Sequence, residues 1–119
     1  MIHEKLFDNY KQIILEINEE GYYSTESGLS SYKACLLLLG NYTLRIKEIW
    51  DQNSLLKYSY YWLDDNHNLI IGWDNAPHHF HVKSFPHHKH IEEQSKICSS
   101  EIKNLTDALQ KIQEKYKDI

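Results

Sequence analysis

Tyr32-Lys33-Ala34-Cys35-Leu36-Leu37-Leu38-Leu39-Gly40-Asn41-Tyr42-Thr43-Leu44-Arg45-Ile46-Lys47-Glu48-Ile49-Trp50 is the stretch that decides the fold class. Its centre, Gly40-Asn41, suits the primed turn of a β-hairpin, because both residues tolerate the positive φ that such a turn needs. Beyond the turn, Leu44, Ile46 and Trp50 fall on one side of a strand, and Thr43, Arg45 and Lys47 on the other. Tyr32 to Leu39 supplies the partner strand. Working outward, Asp51 to Ser54 is a polar loop. Leu56 to Leu63 is dense in tyrosine and tryptophan, which favour a pleated surface. Asp64 to Asn68 is a turn cluster and Leu69 to Trp73 the answering strand. Connections this short join only antiparallel neighbours, so the four strands form a meander.

The flanks read as helical. From Ile2 to Glu20 the residues Ile2, Leu6, Tyr10, Ile13, Ile14 and Ile17 recur at intervals of three and four, and Gly21 follows as a suitable terminator. Ser24 to Ser31 reads as a loop. At the other end, Ile102, Leu105, Leu109, Ile112 and Tyr116 keep helical spacing behind Ser99 or Ser100 as N-cap. His78 to Val82 alternates between Pro77 and Pro86, which suits a short edge strand. The expectation is one α+β domain over residues 1–119: an N-terminal helix, a four- or five-stranded antiparallel meander and a C-terminal helix.

Composition narrows the function classes. Of 119 residues, 41% are apolar and 25% charged, which fits a folded domain and excludes wholesale disorder. The longest apolar run, Ala34 to Leu39, is too short to cross a bilayer, and the N-terminus lacks the order of a signal peptide. Cys35 and Cys98 make neither a disulfide framework nor a C-x-x-C site. A cytoplasmic protein without membrane contact is expected. Gly21, Gly28, Gly40 and Gly72 are scattered, so no nucleotide-cofactor loop exists. The net charge of −4 argues against coating nucleic acid by bulk attraction, but it leaves room for a local basic site.

That site stands out in Trp73-Asp74-Asn75-Ala76-Pro77-His78-His79-Phe80-His81-Val82-Lys83-Ser84-Phe85-Pro86-His87-His88-Lys89-His90. Between Asn75 and His90 there are six histidines, two lysines and no acid. Such a patch attracts an anion, most simply phosphate. One reading is metal-independent cleavage of RNA, with no cofactor. Histidines that titrate near neutrality suit both proton roles, and the doublets His78-His79 and His87-His88 would face each other, with His90 nearby. Arg45, Lys83 and Lys89 would hold the phosphate. Asp74, Asn75 and Tyr60 would support the site.

A second reading is a shell for zinc or another divalent transition metal, built from His79, His81, His88 and His90, with Asp74 as ligand or orienting group. A third is a non-enzymatic surface that docks a protein partner. His3 and His67 are assigned ordinary surface or hydrogen-bonded roles. Tyr58, Tyr60 and Trp62 form a stripe that could stack on bases, but it more simply packs a helix. An exposed sheet edge would make a homodimer possible.

Trp73-Asp74-Asn75-Ala76-Pro77-His78-His79 with Phe85-Pro86-His87-His88-Lys89-His90 is similar to the signature of the TumE family of toxin–antitoxin toxins. Tyr58-Ser59-Tyr60-Tyr61-Trp62 and the Asp-Asn turn also resemble it. The resemblance covers most of the chain. It implies a growth-inhibiting toxin neutralised by a cognate antitoxin, often one with a helix-turn-helix domain, and it places the family's motif histidines on His78, His79, His87, His88 and His90. This chain departs from the pattern at His81 and Lys83, where relatives more usually carry proline and an acid.

Overall fold

The Gly40-Asn41 hairpin forms as its residues require, with φ of 82° at Gly40 and 64° at Asn41. It joins two strands of an extended antiparallel sheet. The computed structural model describes residues 2–117. Their order is α1 (Ile2–Asp8), β1 (Ile14–Ser24), β2 (Leu29–Leu38), β3 (Tyr42–Asp51), β4 (Ser54–Leu63), β5 (Leu69–Asp74), β6 (His88–Ile91), β7 (Ile97–Ser99) and α2 (Leu105–Lys117). The strands lie in chain order, each antiparallel to the next. The α+β class with a helix at each end therefore holds, but the sheet has seven strands rather than four or five.

On one side an extra strand replaces most of the expected helix. The helix expected from Ile2 to Glu20 ends at Asp8, and Ile14 to Ser24 pairs with β2 instead. Two register irregularities interrupt β1, between Ile14 and Glu16 and between Asn18 and Gly21, and Glu19 has φ 54° within the second. Each extra residue breaks the alternation of a strand, so the apolar positions drift to intervals that mimic a helix. Gly21 is accordingly no helix terminator. It lies in β1 beneath the ring of Tyr23, whose Cε2 would stand 2.9 Å from a Cβ at that position. The loop expected over Ser24 to Ser31 shrinks to residues 25–28, where Gly28 takes φ 87°.

On the other side, His78 to Val82 forms turns rather than a strand, and the Phe85–Pro86 peptide is cis. The free edge of β5 is taken by His88–Ile91. Neither Ser99 nor Ser100 caps the last helix. Asn104 does, its Oδ1 accepting the Asp107 N–H at 2.8 Å. Ser100 is buried and bonded elsewhere, its N–H donating to Ser84 Oγ and its own Oγ accepting the Ile102 N–H.

One face of the sheet carries the core. Leu36, Leu38, Leu44, Ile46, Tyr58, Tyr60, Trp62 and Trp73 bury against Leu105, Ala108, Leu109 and Ile112 of α2. The tyrosine–tryptophan stripe is thus packing surface, at 0–3% exposure. The helix α1 adds Phe7 and His3 to the same face, and His3 stacks on Tyr32 at 3.6 Å between ring centroids. The opposite face, with Lys33, Arg45 and Lys47 exposed on it, bears no helix among the described residues. On that face Gly72 lies under Tyr61, whose Cδ1 would stand 2.7 Å from an added Cβ. Gly72→Ala is therefore expected to displace the ring and cost about 1–3 kcal/mol. A lower urea midpoint with an unchanged slope would register it, and an unchanged midpoint would show that the ring yields freely.

Candidate functional site

Register builds the site. Asp74 at the end of β5 pairs with His88, and Gly72 with His90, so Asp74, His88 and His90 project from the same, helix-free face. The Asp74 carboxylate sits between the two imidazoles, with Oδ1 2.8 Å from His88 Nε2 and Oδ2 3.2 Å from His90 Nε2. Oδ1 also accepts the Ala76 N–H at 3.0 Å, which starts the turn that follows. That turn carries His79 back over the pair, with ring centroids 4.7 Å from His88 and 6.0 Å from His90. A ligating atom of each of His79, His88 and His90 lies within 4.8 Å of the others.

The ring nitrogens of the two buried histidines are all engaged. His88 Nδ1 lies 3.0 Å from the Pro86 carbonyl and His90 Nδ1 2.8 Å from the Gln94 carbonyl. A carbonyl oxygen only accepts, so both Nδ1 atoms carry hydrogen. Each Nε2 then meets Asp74 either as the second N–H of an imidazolium or as a lone pair that shares a cation with the carboxylate. His79 differs. It is partly exposed, and its pKa is held below the ordinary 6.5, first by desolvation and then by the neighbouring His88, His90 and His81. It presents a neutral ring beside the two imidazoles that Asp74 holds.

The structure therefore brings together His79, His88, His90 and Asp74. It brings one member of each histidine doublet into the cluster and turns the other away. His78 is exposed outside it. His87 points to the core face, where its Nδ1 lies 2.9 Å from Tyr58 Oη, and its pKa is lowered by burial, by Lys103 and by His88. His81 is exposed, 6.0 Å from His79 between centroids, and stands outside the close group of three. Lys83 and Lys89, expected beside the phosphate, line a cleft of about 680 Å³ with Trp73, Asp107 and Glu114 of the helix-covered side. Lys89 pairs with Trp73, so strand alternation turns it away from the histidines.

Tyr60, expected to support the site, is fully buried on the core face and donates to Glu48. Asn75 has a positional role: its Oδ1 accepts the Tyr58 N–H and its Nδ2 donates to the Leu56 carbonyl, so the side chain extends the β4–β5 ladder past the turn. Arg45 keeps its place on the cluster's face, in the row Arg45–Tyr61–Gly72–His90. Tyr61 was absent from the sequence candidates. Its signal was available in the alternation that puts it opposite Tyr60 and Trp62.

A family model described as Toxin TumE matches residues 3–118, nearly the whole chain. The chain matches no curated protein and no solved structure.

Proposed function

The chain belongs to the TumE toxin family, with the toxin role and antitoxin partner that membership implies, and from that premise we propose that it is a metal-independent ribonuclease centred on His79, His88, His90 and Asp74. The observation that supports this reading is the neutral, partly exposed His79 set against two histidines fixed by one carboxylate. His79 takes the proton of a ribose 2′-OH, and the 2′-oxygen bonds to phosphorus. The bond from phosphorus to the 5′-oxygen breaks, and the exposed His81 delivers a proton to that oxygen. His88 and His90, protonated about Asp74, supply net positive charge for the phosphate. The antitoxin, in this reading one with a helix-turn-helix domain, blocks the same face. No helix of the described residues is long and apolar enough to cross a membrane.

Incubation with total RNA, with and without a chelator and across pH, tests the reading. Cleavage should survive the chelator. Because His79 acts deprotonated and its pKa is lowered, the acid limb of the rate profile should have its midpoint below 6.5, and because a proton donor is also needed the rate should fall again at higher pH. Absence of cleavage under every condition would remove the ribonuclease reading and leave antitoxin docking as the use of this surface.

One observation favours a second reading. Histidines whose Nδ1–H is fixed by a backbone carbonyl present Nε2 lone pairs, which is how a metal shell is commonly oriented. His79, His88 and His90 would hold zinc or another divalent transition metal, with Asp74 beside it. That ion would polarise the phosphate and activate water. This reading requires that a chelator abolish cleavage and that added zinc raise the melting temperature.

A further inference from the structure

The helix-free face of the sheet is arranged in rows that run across the strands into the histidine cluster. One row is Gly21–Lys33–Lys47–Ser59–Asp74–His88, and the next is Asn18–Cys35–Arg45–Tyr61–Gly72–His90. A third, Tyr23–Ser31–Ile49–Lys57, lies beside the first. Lys33, Arg45, Lys47 and Lys57 are all exposed, and among the described residues none of them forms an ion pair. A groove of about 400 Å³ opens between Lys33, Lys47, Lys57 and Tyr23. The acid within the rows is Asp74, held between His88 and His90; Glu48, buried on the core face, reaches the groove's floor, and at the β1 edge Glu19 acts on Cys35. A chain of net charge −4 has thus gathered a block of unpaired cations on one uncovered surface.

The two tyrosines of this face share a construction. Tyr23 lies against Gly21 and Tyr61 against Gly72, each glycine leaving room for a ring that any side chain would push away. Tyr23 is 63% exposed. Cations interleaved with accessible aromatic rings are what a single strand of nucleic acid needs: positive charge for the backbone and a π-face for each base. A duplex offers no free base faces to stack. At about 4.8 Å per strand, Lys33 on β2 and His88 on β6 lie roughly 19 Å apart, which a few extended nucleotides would span.

We propose that this face is a track for single-stranded RNA, with Lys33, Lys47, Lys57 and Arg45 on phosphates and Tyr23 and Tyr61 under bases, leading the scissile linkage to His79. The inference rests on the ribonuclease reading for its direction, and it is tested by binding, which does not require cleavage.

The probe is a fluorescent 2′-O-methyl oligonucleotide, which cannot be cleaved through the 2′-oxygen, read by anisotropy over a salt series. The parent protein should bind it, and Lys33→Gln/Lys47→Gln/Lys57→Gln should weaken binding more than tenfold. The slope of log affinity against log salt should fall by about 2, since each phosphate that a lysine neutralises on a single strand adds roughly 0.7 to it. Tyr23→Ala should weaken binding about tenfold at unchanged salt slope. The substituted side chains are exposed, and circular dichroism confirms the fold of each variant.

Parent binding with no RNA cleavage would overturn the ribonuclease reading and leave the track standing. Cleavage by the parent, with lysine variants that bind the probe as the parent does, would overturn the track and leave the ribonuclease reading. Failure of the parent to bind the probe, or lysine variants that lose the antitoxin while keeping the probe, would also overturn the track.

Discussion

Glu48→Ala is expected to cost about 3–5 kcal/mol and to lower the melting temperature by roughly 10–20 °C. Glu48 is the acid that strand alternation turns inward after Leu44 and Ile46, and it is 3% exposed. Its Oε1 lies 2.5 Å from His3 Nε2 and accepts from Trp50 Nε1 at 3.2 Å, while Oε2 accepts the Tyr60 hydroxyl at 2.5 Å. The far side of His3 is satisfied as well, with Tyr22 Oη 3.2 Å from Nδ1. Burial, together with the carboxylate beside it, pushes the Tyr60 phenol far above its ordinary pKa, so it remains a donor. Alanine would leave an imidazole N–H, an indole N–H and a phenol without an acceptor in an apolar setting. Glu48→Gln, which keeps an acceptor oxygen and the volume, should lose clearly less. Chemical denaturation of the two variants decides the matter: equal stabilities near that of the parent would mean that the network holds nothing together.

That network shows where sequence reading stops. Leu44, Ile46 and Glu48 share a face by alternation alone, so an inward acid was legible, but its partner His3 lies 45 residues away and belongs to a helix of seven. Only tertiary packing brings them together. The meander from Tyr32 to Trp73 was legible because each strand is regular and each turn carries its own chemistry. β1 was not, because its two register irregularities erase the period-two signal that would have distinguished it from a helix. Near the site, the concentration of histidine was plain, yet which members converge depends on the pairing of β5 with β6. Asp74 opposite His88 selects the even-numbered histidines of β6 and sends Lys89 to the other face. In the segment 75–87 the alternation of His78 to Val82 pointed to a strand where the chain makes turns, so the return of His79 over His88 could not be derived from spacing.

The largest expected effect on activity follows from that return. His79→Ala should reduce RNA cleavage by about 10²- to 10⁴-fold, the usual contribution of a positioned general base. The substitution is informative because His79 is partly exposed and no buried hydrogen bond depends on it, so the fold should survive. His88→Ala is a weaker test. That ring is 1% exposed, and removing it takes one of two partners from Asp74 Oδ1 and the His88 N–H from the Pro86 carbonyl, which mixes lost stability with lost chemistry. The double change of His79 and His88 to alanine should leave no measurable cleavage. Added imidazole separates the two chemistries available to His79. A free base diffusing into the vacated space should restore part of the cleavage by His79→Ala in the presence of a chelator, with the restored rate rising as imidazole deprotonates. If His79 instead held a metal, the rescued rate would vanish with the chelator. Full activity in His79→Ala would contradict both chemistries, since each needs the one ring in the cluster whose nitrogens neither the carboxylate nor a backbone carbonyl already holds.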